Sequence, residues 1–346
     1  MSPLTWTLLL TSLTTSTLIT MMSNHWLLAW LSLELNTLSI LPIMMKHHHP
    51  RMTEATTKYF IIQATAAASI LFASTLNAWQ TGQWTITNSN STVATTLTTT
   101  AIMLKLGMAP VHLWYPEILQ GMPMYTAMII STWQKLAPLA LLYMMYSNLS
   151  PTLTLTLGLL SALAGGLTGL NQTQTRKILA FSSIAHMGWL MAALSTNQNL
   201  ATLTMITYII TTVAMFTTMA TMSTKTMHDT GTAWILSPTL ATMMMITLMS
   251  LGGLPPLTGF MPKWLVIKEL TMMSLLPMST TLLMASLPSL FFYTRLAYLT
   301  MLTAPPTTIT MKLKWRFAGH TAPYATPTII SASLLLPLAA ALYNNT

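Results

Sequence analysis

Long apolar runs alternate with short polar loops along the whole chain. A helix needs about 20 apolar residues to cross the hydrocarbon core of a bilayer, and runs of that length recur throughout, so the pattern predicts an all-α polytopic membrane protein with about eleven transmembrane helices. The predicted crossings are residues 3–22, 26–45, 58–79, 93–116, 123–146, 150–171, 176–195, 199–222, 237–272, 276–300 and 324–343.

The composition supports this class and removes others. Of the 346 residues, 53% are hydrophobic and 5% are charged, whereas a soluble domain has about 25% charged residues, so a soluble fold is excluded. The net charge of +9 would suggest nucleic acid in a soluble protein. Here the basic residues lie in short loops, so they indicate membrane topology and no nucleic-acid partner. Without cysteine, this chain alone cannot hold a disulfide or a thiolate-bound zinc or iron–sulfur site.

The basic residues also decide how segment 237–272 is read, because it is long enough for one interrupted helix or for two helices. With one interrupted helix, every basic loop lies on the same side as the N-terminus. With two, the loop at 301–323 changes sides. The positive-inside rule therefore favours one interrupted helix, with the N-terminus inside and the C-terminus outside. The basic loop residues are Lys46, Arg51, Lys58, Arg176, Lys177, Lys225, Lys312, Lys314 and Arg316.

Two stretches are predicted to break helices four and nine. Residues 103–117 read MLKLGMAPVHLWYPE, and residues 251–263 read LGGLPPLTGFMPK. A lysine near the bilayer centre costs about 2.5–3.5 kcal/mol, so it normally faces protein or water. Prolines at that depth free helix carbonyls that protein or water must satisfy. A broken helix that carries a buried ammonium is the arrangement from which ion pathways are built.

The order of helices predicts an internal repeat. Helices one to five and six to ten form two sets, approximately residues 1–148 and 149–303, followed by a final helix at 324–343. The fourth helix of each set is the broken one. Because five is odd, the two sets enter the membrane from opposite faces, so the repeats are inverted.

The second helix of each set carries an ionisable residue, Glu34 in the first and His186 in the second. With the lysines of the breaks, they form two predicted acid–base pairs, Glu34–Lys105 and His186–Lys263. Lys135 lies in the middle of the fifth helix. Its counterpart by order, Arg295, lies near the basic face, where it could simply extend its charge to the surface.

Each candidate also has a purely structural interpretation. A buried lysine beside a glutamate can act as a proton switch or as a static ion pair, and His186 can be a relay or a packed histidine. His112 can line water or satisfy a freed carbonyl. Glu117 and Glu269 lie near helix ends and can be paired or guide proton entry. His47, His48 and His49 point in different directions with no acid or cysteine beside them, which favours a basic loop surface over a metal site.

The sequence resembles the chain 2 family of NADH–ubiquinone oxidoreductase, the antiporter-like membrane subunits of respiratory complex I, over its whole length. The motifs that carry the resemblance are LSLELNTLSILP around Glu34, LKLGMAPVHLWYPEILQG, STWQKLAP, RKILAFSSIAHMGW and LGGLPPLTGFMPKW. The resemblance implies a proton path in which Glu34 and Lys105 form a charge pair and Lys135 bridges the two halves. It further implies that His186 relays protons and that Lys263 serves the outer half-channel.

The resemblance also implies the setting of the chain. It places the chain in the mitochondrial inner membrane, with the N-terminus and basic loops on the matrix side. Its partners would be other membrane-arm subunits, including antiporter-like ones, and membrane lipids. No redox centre is expected on this chain, since FMN, iron–sulfur clusters and ubiquinone would be bound by other subunits. Two alternatives remain open: a stand-alone cation/proton antiporter, and a structural membrane-arm subunit without its own proton path.

Overall fold

The structure, a computed structural model, describes residues 2–46, 49–89, 91–301, 325–338 and 343. Its regular elements over these residues are helices, and several of them are long and apolar enough to cross a membrane, so the expected class of helical, polytopic membrane protein is confirmed. The chain divides into two compact units, Met1–Leu157 and Gly158–Thr346. His47, His48, the basic residues of the 301–323 loop and the end of the predicted final helix lie outside the described residues.

The first unit contains seven whole helices and the start of an eighth. They are α1 (Pro3–Met22), α2 (Trp26–Met44), α3 (Pro50–Thr81), α4 (Thr92–Leu106), α5 (Trp114–Gly121), α6 (Met124–Thr132) and α7 (Leu136–Met144), and α8 (Pro151–Gly169) starts in this unit and continues into the second. The unit is organised around α3, which packs against α2, α4 and α5, while α1 packs against α2 and α7.

The described helices of the second unit after α8 are α9 (Thr175–Thr196), α10 (Gln198–Thr221), α11 (Met227–Leu236), α12 (Pro238–Gly252), α13 (Phe260–Met272), α14 (Leu276–Met301) and α15 (Ala325–Leu334). This unit is organised around α10, which packs against α9, α12, α13 and α15. Gly165 of α8 approaches α9 so closely that a Cβ there would lie 2.6 Å from the Ala185 nitrogen. The close packing that small residues permit between membrane helices explains this glycine.

Within the described residues, seven helices are long and apolar enough to cross a membrane as single helices: α1, α2, α3, α8, α9, α10 and α14. Hydroxyl-rich helices such as α1 suit a bilayer because their side chains bond back to their own backbone. The Thr17 hydroxyl, for example, donates to the Thr14 carbonyl at 2.8 Å. Such bonds hide the polar hydrogen where no water is present to accept it.

Two elements differ from the sequence prediction. Residues 227–236, predicted to be loop, form α11, because Thr226 and Asp229 make a reciprocal capping box at its start. The predicted fifth helix is not continuous: a 3-10 turn, Trp133–Lys135, separates α6 from α7. Pro138 lacks an N–H and cannot bond to the Gln134 carbonyl as a regular helix requires, which accounts for the tighter turn immediately before it.

Candidate functional site: two broken helices whose lysines line cavities

The first break begins at a glycine and not at a proline. Gly107 ends α4 with φ +72°, and the Met108 N–H bonds to the Met103 carbonyl at 3.1 Å, which is the Schellman arrangement. A Cβ on Gly107 would also lie 3.3 Å from both Trp114 and Tyr115. Lys105 lies in the last turn of α4, just before the break.

The second break uses the same construction. Gly253 ends α12 with φ +80°, and the Leu254 N–H bonds to the Met249 carbonyl at 3.3 Å. The helix resumes at Phe260. Lys263 therefore lies after this break, in the first turn of α13, whereas Lys105 lies before the first one. The two predicted breaks are thus both present, but their lysines occupy opposite halves of the interrupted helices.

The first unit encloses a cavity of about 20 Å³ that two lysines line. This volume suits about one water molecule. Lys105 is 6% exposed and Lys135 is 3% exposed. Among the described residues, the Lys105 ammonium has no hydrogen-bond partner, and the Lys135 ammonium lies 5.1 Å from the centre of the Tyr115 ring. The other lining residues with polar side-chain atoms are Asn36, Thr37, Tyr59, Gln63, Trp114, Tyr115 and Gln134.

Glu34 lies beside this cavity. Its carboxylate accepts a hydrogen bond of 3.1 Å from the hydroxyl of Thr37, and Thr37 is a lining residue. The ion pairs found among the described residues join Lys58 to Glu54 and to Glu117, so Glu34 and Lys105 are not in direct contact. A proton passing between them needs an intervening group.

The second unit encloses a cavity of about 30 Å³ lined by Lys263, His186, Tyr208 and a row of α10 threonines. The Lys263 ammonium donates a hydrogen bond of 2.9 Å to the Gly252 carbonyl and lies 6.0 Å from the centre of the Trp189 ring. His186 is half-buried, with its Nε2 3.4 Å from the Tyr293 hydroxyl. His186 and Lys263, which the sequence pairs, therefore line one cavity.

Comparison with known proteins identifies the family. The family described as "NADH:quinone oxidoreductase/Mrp antiporter, TM" matches residues 23–304, and "NADH dehydrogenase subunit 2 C-terminus" matches residues 290–343. NADH-ubiquinone oxidoreductase chain 2 of Oncorhynchus mykiss is 51% identical over 97% of each chain, and that of Xenopus laevis is 49% identical over 91% of this chain and 92% of its own. The chain belongs to the NADH-ubiquinone oxidoreductase chain 2 family.

Solved structures agree with this assignment. A chain of respiratory complex I from Thermus thermophilus superposes with a TM-score of 0.85 at 26% identity, covering 96% of this chain and 77% of that one. A chain of the Mrp complex from Dietzia superposes with a TM-score of 0.79 at 17% identity, covering 98% of this chain and 78% of that one. The second likeness concerns the fold alone.

In this member of the chain 2 family, two secondary candidates lie outside both cavities. The Nδ1 of His112 donates to the carbonyl of Pro110 at 3.2 Å, which is a local bond within the break. Glu117 lies at the start of α5 and accepts from Lys58 of α3 at 2.9 Å. This pair is solvent-exposed, and it fastens the second half of the broken helix to α3. In the second unit, Arg295 donates to the carbonyl of Leu170 at the end of α8.

Sequence reasoning missed the neutral polar residues of the first cavity. Asn36 follows Glu34 by two positions, and Gln134 directly precedes Lys135. An amide inside an apolar crossing was the available signal, since buried amides need partners.

Proposed function

We propose that the chain is a proton-translocating core membrane subunit of respiratory complex I, acting as part of an H⁺-translocating NADH:ubiquinone reductase. The observation that carries the proposal is the Lys105 ammonium, which is buried in a water-sized cavity without a hydrogen-bond partner among the described residues. Leaving such a group uncompensated is expensive. Burial of the Lys105 ammonium is explained if this lysine exchanges its proton with water or with a neighbouring group.

The proton-carrying groups are Glu34, Lys105, Lys135, His186 and Lys263. Glu34 supplies charge beside the first cavity, and Lys105 and Lys135 exchange a proton inside it. In the second unit, Lys263 and His186 perform the corresponding exchange. Glu117 and His112 are secondary candidates near the first break. The energy for these steps comes from NADH oxidation by ubiquinone, and FMN, iron–sulfur clusters and ubiquinone are bound by other subunits.

The membrane arrangement in this proposal is eleven crossings in two inverted five-helix repeats, about 1–148 and 149–303, with a final helix at 324–343. The matching glycine-capped breaks support it, since each falls in the fourth predicted crossing of its set. The chain lies in the mitochondrial inner membrane among other membrane-arm subunits, antiporter-like ones included, and lipids. Its N-terminus and basic loops face the matrix.

A stand-alone cation/proton antiporter is the second candidate, and it is favoured by the matching family model, whose description includes Mrp antiporters. The chain is 51% identical to a chain 2 relative over 97% of each chain, and this similarity favours the complex I subunit over the antiporter. The two are separated by native electrophoresis of solubilised membranes. The complex I proposal requires the chain to migrate only with NADH dehydrogenase activity, and free chain that exchanges cations for protons would contradict it.

The decisive experiment replaces Lys105 with methionine in the assembled complex, reconstituted in proteoliposomes, and follows NADH oxidation and proton uptake together. Methionine keeps an unbranched apolar stem and removes the charge. Lys268→Met, in which an exposed lysine of α13 is lost, is the matched control. The proposal expects both rates to fall at least about tenfold for Lys105→Met and to hold for the control. Unchanged rates in a fully assembled Lys105→Met particle would show that the lysine is structural.

A further inference from the structure

Three neutral polar side chains join separate elements across the first cavity. The Tyr59 hydroxyl of α3 donates to Gln134 Oε1 at 3.4 Å. The Gln134 Nε2, in the 3-10 turn before Lys135, donates to Asn36 Oδ1 of α2 at 3.1 Å. All three side chains are buried, and all three line the cavity that holds Lys105 and Lys135.

These two hydrogen bonds run in the same direction, from Tyr59 to Gln134 and from Gln134 to Asn36. A phenolic hydroxyl donates to the Gln134 carbonyl oxygen, so the Gln134 amide hydrogens point to Asn36. The Asn36 oxygen is thereby occupied as an acceptor, which leaves its NH₂ group as a donor beside the cavity. A water molecule held there would accept from Asn36 with one lone pair and from a protonated lysine with the other, and its own hydrogens would then be free to point to a lysine that has lost its proton.

Amides can keep a water molecule oriented during proton transfer because their hydrogens do not titrate near neutral pH. The two lysines change charge during proton transfer, whereas the direction of the Tyr59–Gln134–Asn36 chain stays the same. Gln134 and Lys135 both lie in the 3-10 turn where the fifth crossing is interrupted, and both line the cavity.

We propose that Asn36 and Gln134, oriented by Tyr59, are positioning residues for proton transfer between Lys105 and Lys135. They act by holding one water molecule in the orientation that transfer requires. The proton moves from the ammonium of one lysine to the water oxygen while a water proton passes to the amine of the other, so charge and atoms balance. This inference rests on the proposed proton path and adds to it residues that carry no charge.

The test uses near-isosteric variants, Asn36→Leu and Gln134→Met, in the assembled complex in proteoliposomes. Asn77→Leu is the matched control, because Asn77 is an equally buried asparagine of the same unit and does not line the cavity. NADH oxidation and proton uptake are measured in H₂O and in D₂O across a pH series. Losing one or two neutral hydrogen bonds should slow turnover about tenfold. The solvent isotope effect should rise because proton transfer becomes rate-limiting, and KM for NADH should hold.

The outcomes separate this inference from the proposed function. Slow turnover with a raised isotope effect in both cavity variants, and neither change in Asn77→Leu, supports the positioning role. Unchanged turnover in both, alongside a Lys105→Met complex that has lost pumping, overturns this inference and leaves the proton path intact. Unchanged turnover in Lys105→Met as well overturns both.

If the amide variants fail to assemble, Tyr59→Phe provides a second test of the same inference. It removes only the hydroxyl that orients Gln134, and the ring remains to fill its place. Turnover about threefold slower with a raised isotope effect supports the inference, since one long hydrogen bond is lost. An unchanged rate and isotope effect in an assembled Tyr59→Phe complex overturns it.

Discussion

The Lys263 ammonium donates a hydrogen bond of 2.9 Å to the Gly252 carbonyl, and this bond joins the two halves of one broken helix. Gly252 is the last residue of α12, and Lys263 lies in the first turn of α13. The final carbonyls of a helix have no partners within it and carry a partial negative charge. The lysine is thus both a candidate proton carrier and the group that caps the helix beside it, and these two roles can be separated.

Replacing Lys263 with methionine should remove both roles, whereas Lys263→Arg should keep only the cap. Arginine still donates to the Gly252 carbonyl but does not release its proton at accessible pH. We expect Lys263→Met to lower turnover and proton uptake at least about tenfold, and Lys263→Arg to restore assembly and thermal stability without restoring proton uptake. The check is to measure both rates and the melting temperature of the assembled complex. Full pumping by Lys263→Arg would assign the lysine to capping alone.

Gly253→Ala tests whether the break positions the lysine. An L residue at φ +80° is strained by roughly 1–2 kcal/mol, and the added Cβ would lie 3.0 Å from the Lys263 Nζ. Gly82→Ala is the matched control, because Gly82 also has positive φ and nothing lies within 4 Å of the position of a Cβ. Both variants should lose similar stability, and only Gly253→Ala should lose turnover. Equal turnover in the two would show that the lysine tolerates displacement.

Both breaks could be predicted from the sequence, and so could the glycine that ends each helix. Proline alone would predict a break, yet α4 and α12 stop just before Gly107 and Gly253. Three prolines of the two stretches follow in the non-helical segments, and Pro116 and Pro262 lie in the first turns of α5 and α13. Glycine at a helix end with proline shortly after it is the usual stop signal. Hydropathy alone also fails to predict α11, although Thr226 and Asp229 have the spacing of a capping box, which indicates the start of a helix.

The pairings inside the first cavity could not be predicted in the same way. Asn36 and Gln134 lie 98 residues apart in sequence, and no local propensity specifies that their amides meet. That meeting depends on how α2 and α3 pack around the 3-10 turn, which is a property of the folded unit. Each charged residue can be recognised in the sequence by itself, whereas the hydrogen-bond partners of Asn36 and Gln134 are set by how the helices pack.

Membrane orientation can be tested with α3. This helix has 32 residues, and at 1.5 Å per residue it is about 48 Å long, enough to pass through a bilayer. Thr53 and Asn88 are exposed near its opposite ends, and the chain has no cysteine of its own. In Thr53→Cys and Asn88→Cys mitoplasts, a membrane-impermeant maleimide added outside should label only Asn88→Cys on this chain. Labelling of Thr53→Cys instead would reverse the proposed orientation.

The α11 capping box should give that helix a stability that depends on pH. Burial acts to raise the pKa of Asp229, but hydrogen bonds from the backbone N–H groups of Thr226 and Lys225 outweigh it and hold the pKa below its ordinary value near 3.8. A lowered folded-state pKa stabilises the fold at pH values above the ordinary value, and this contribution is lost as the pH falls through the folded-state pKa. Protection of α11 amides from hydrogen exchange should therefore hold from neutral pH down to about 4 and then decline.

Asp229→Asn isolates the charge, because asparagine keeps the shape of the side chain. Losing the negative charge near the helix N-terminus, which contributes about 0.3–1 kcal/mol, should lower α11 protection about two- to fivefold at pH 7, and the protection of the variant should no longer change with pH in the acid range. Amides of α3, which belongs to the first unit, serve as the internal control in the same sample and should exchange equally in both proteins. If Asp229→Asn protects α11 as well as the native chain does at pH 7, the carboxylate charge does not stabilise this helix.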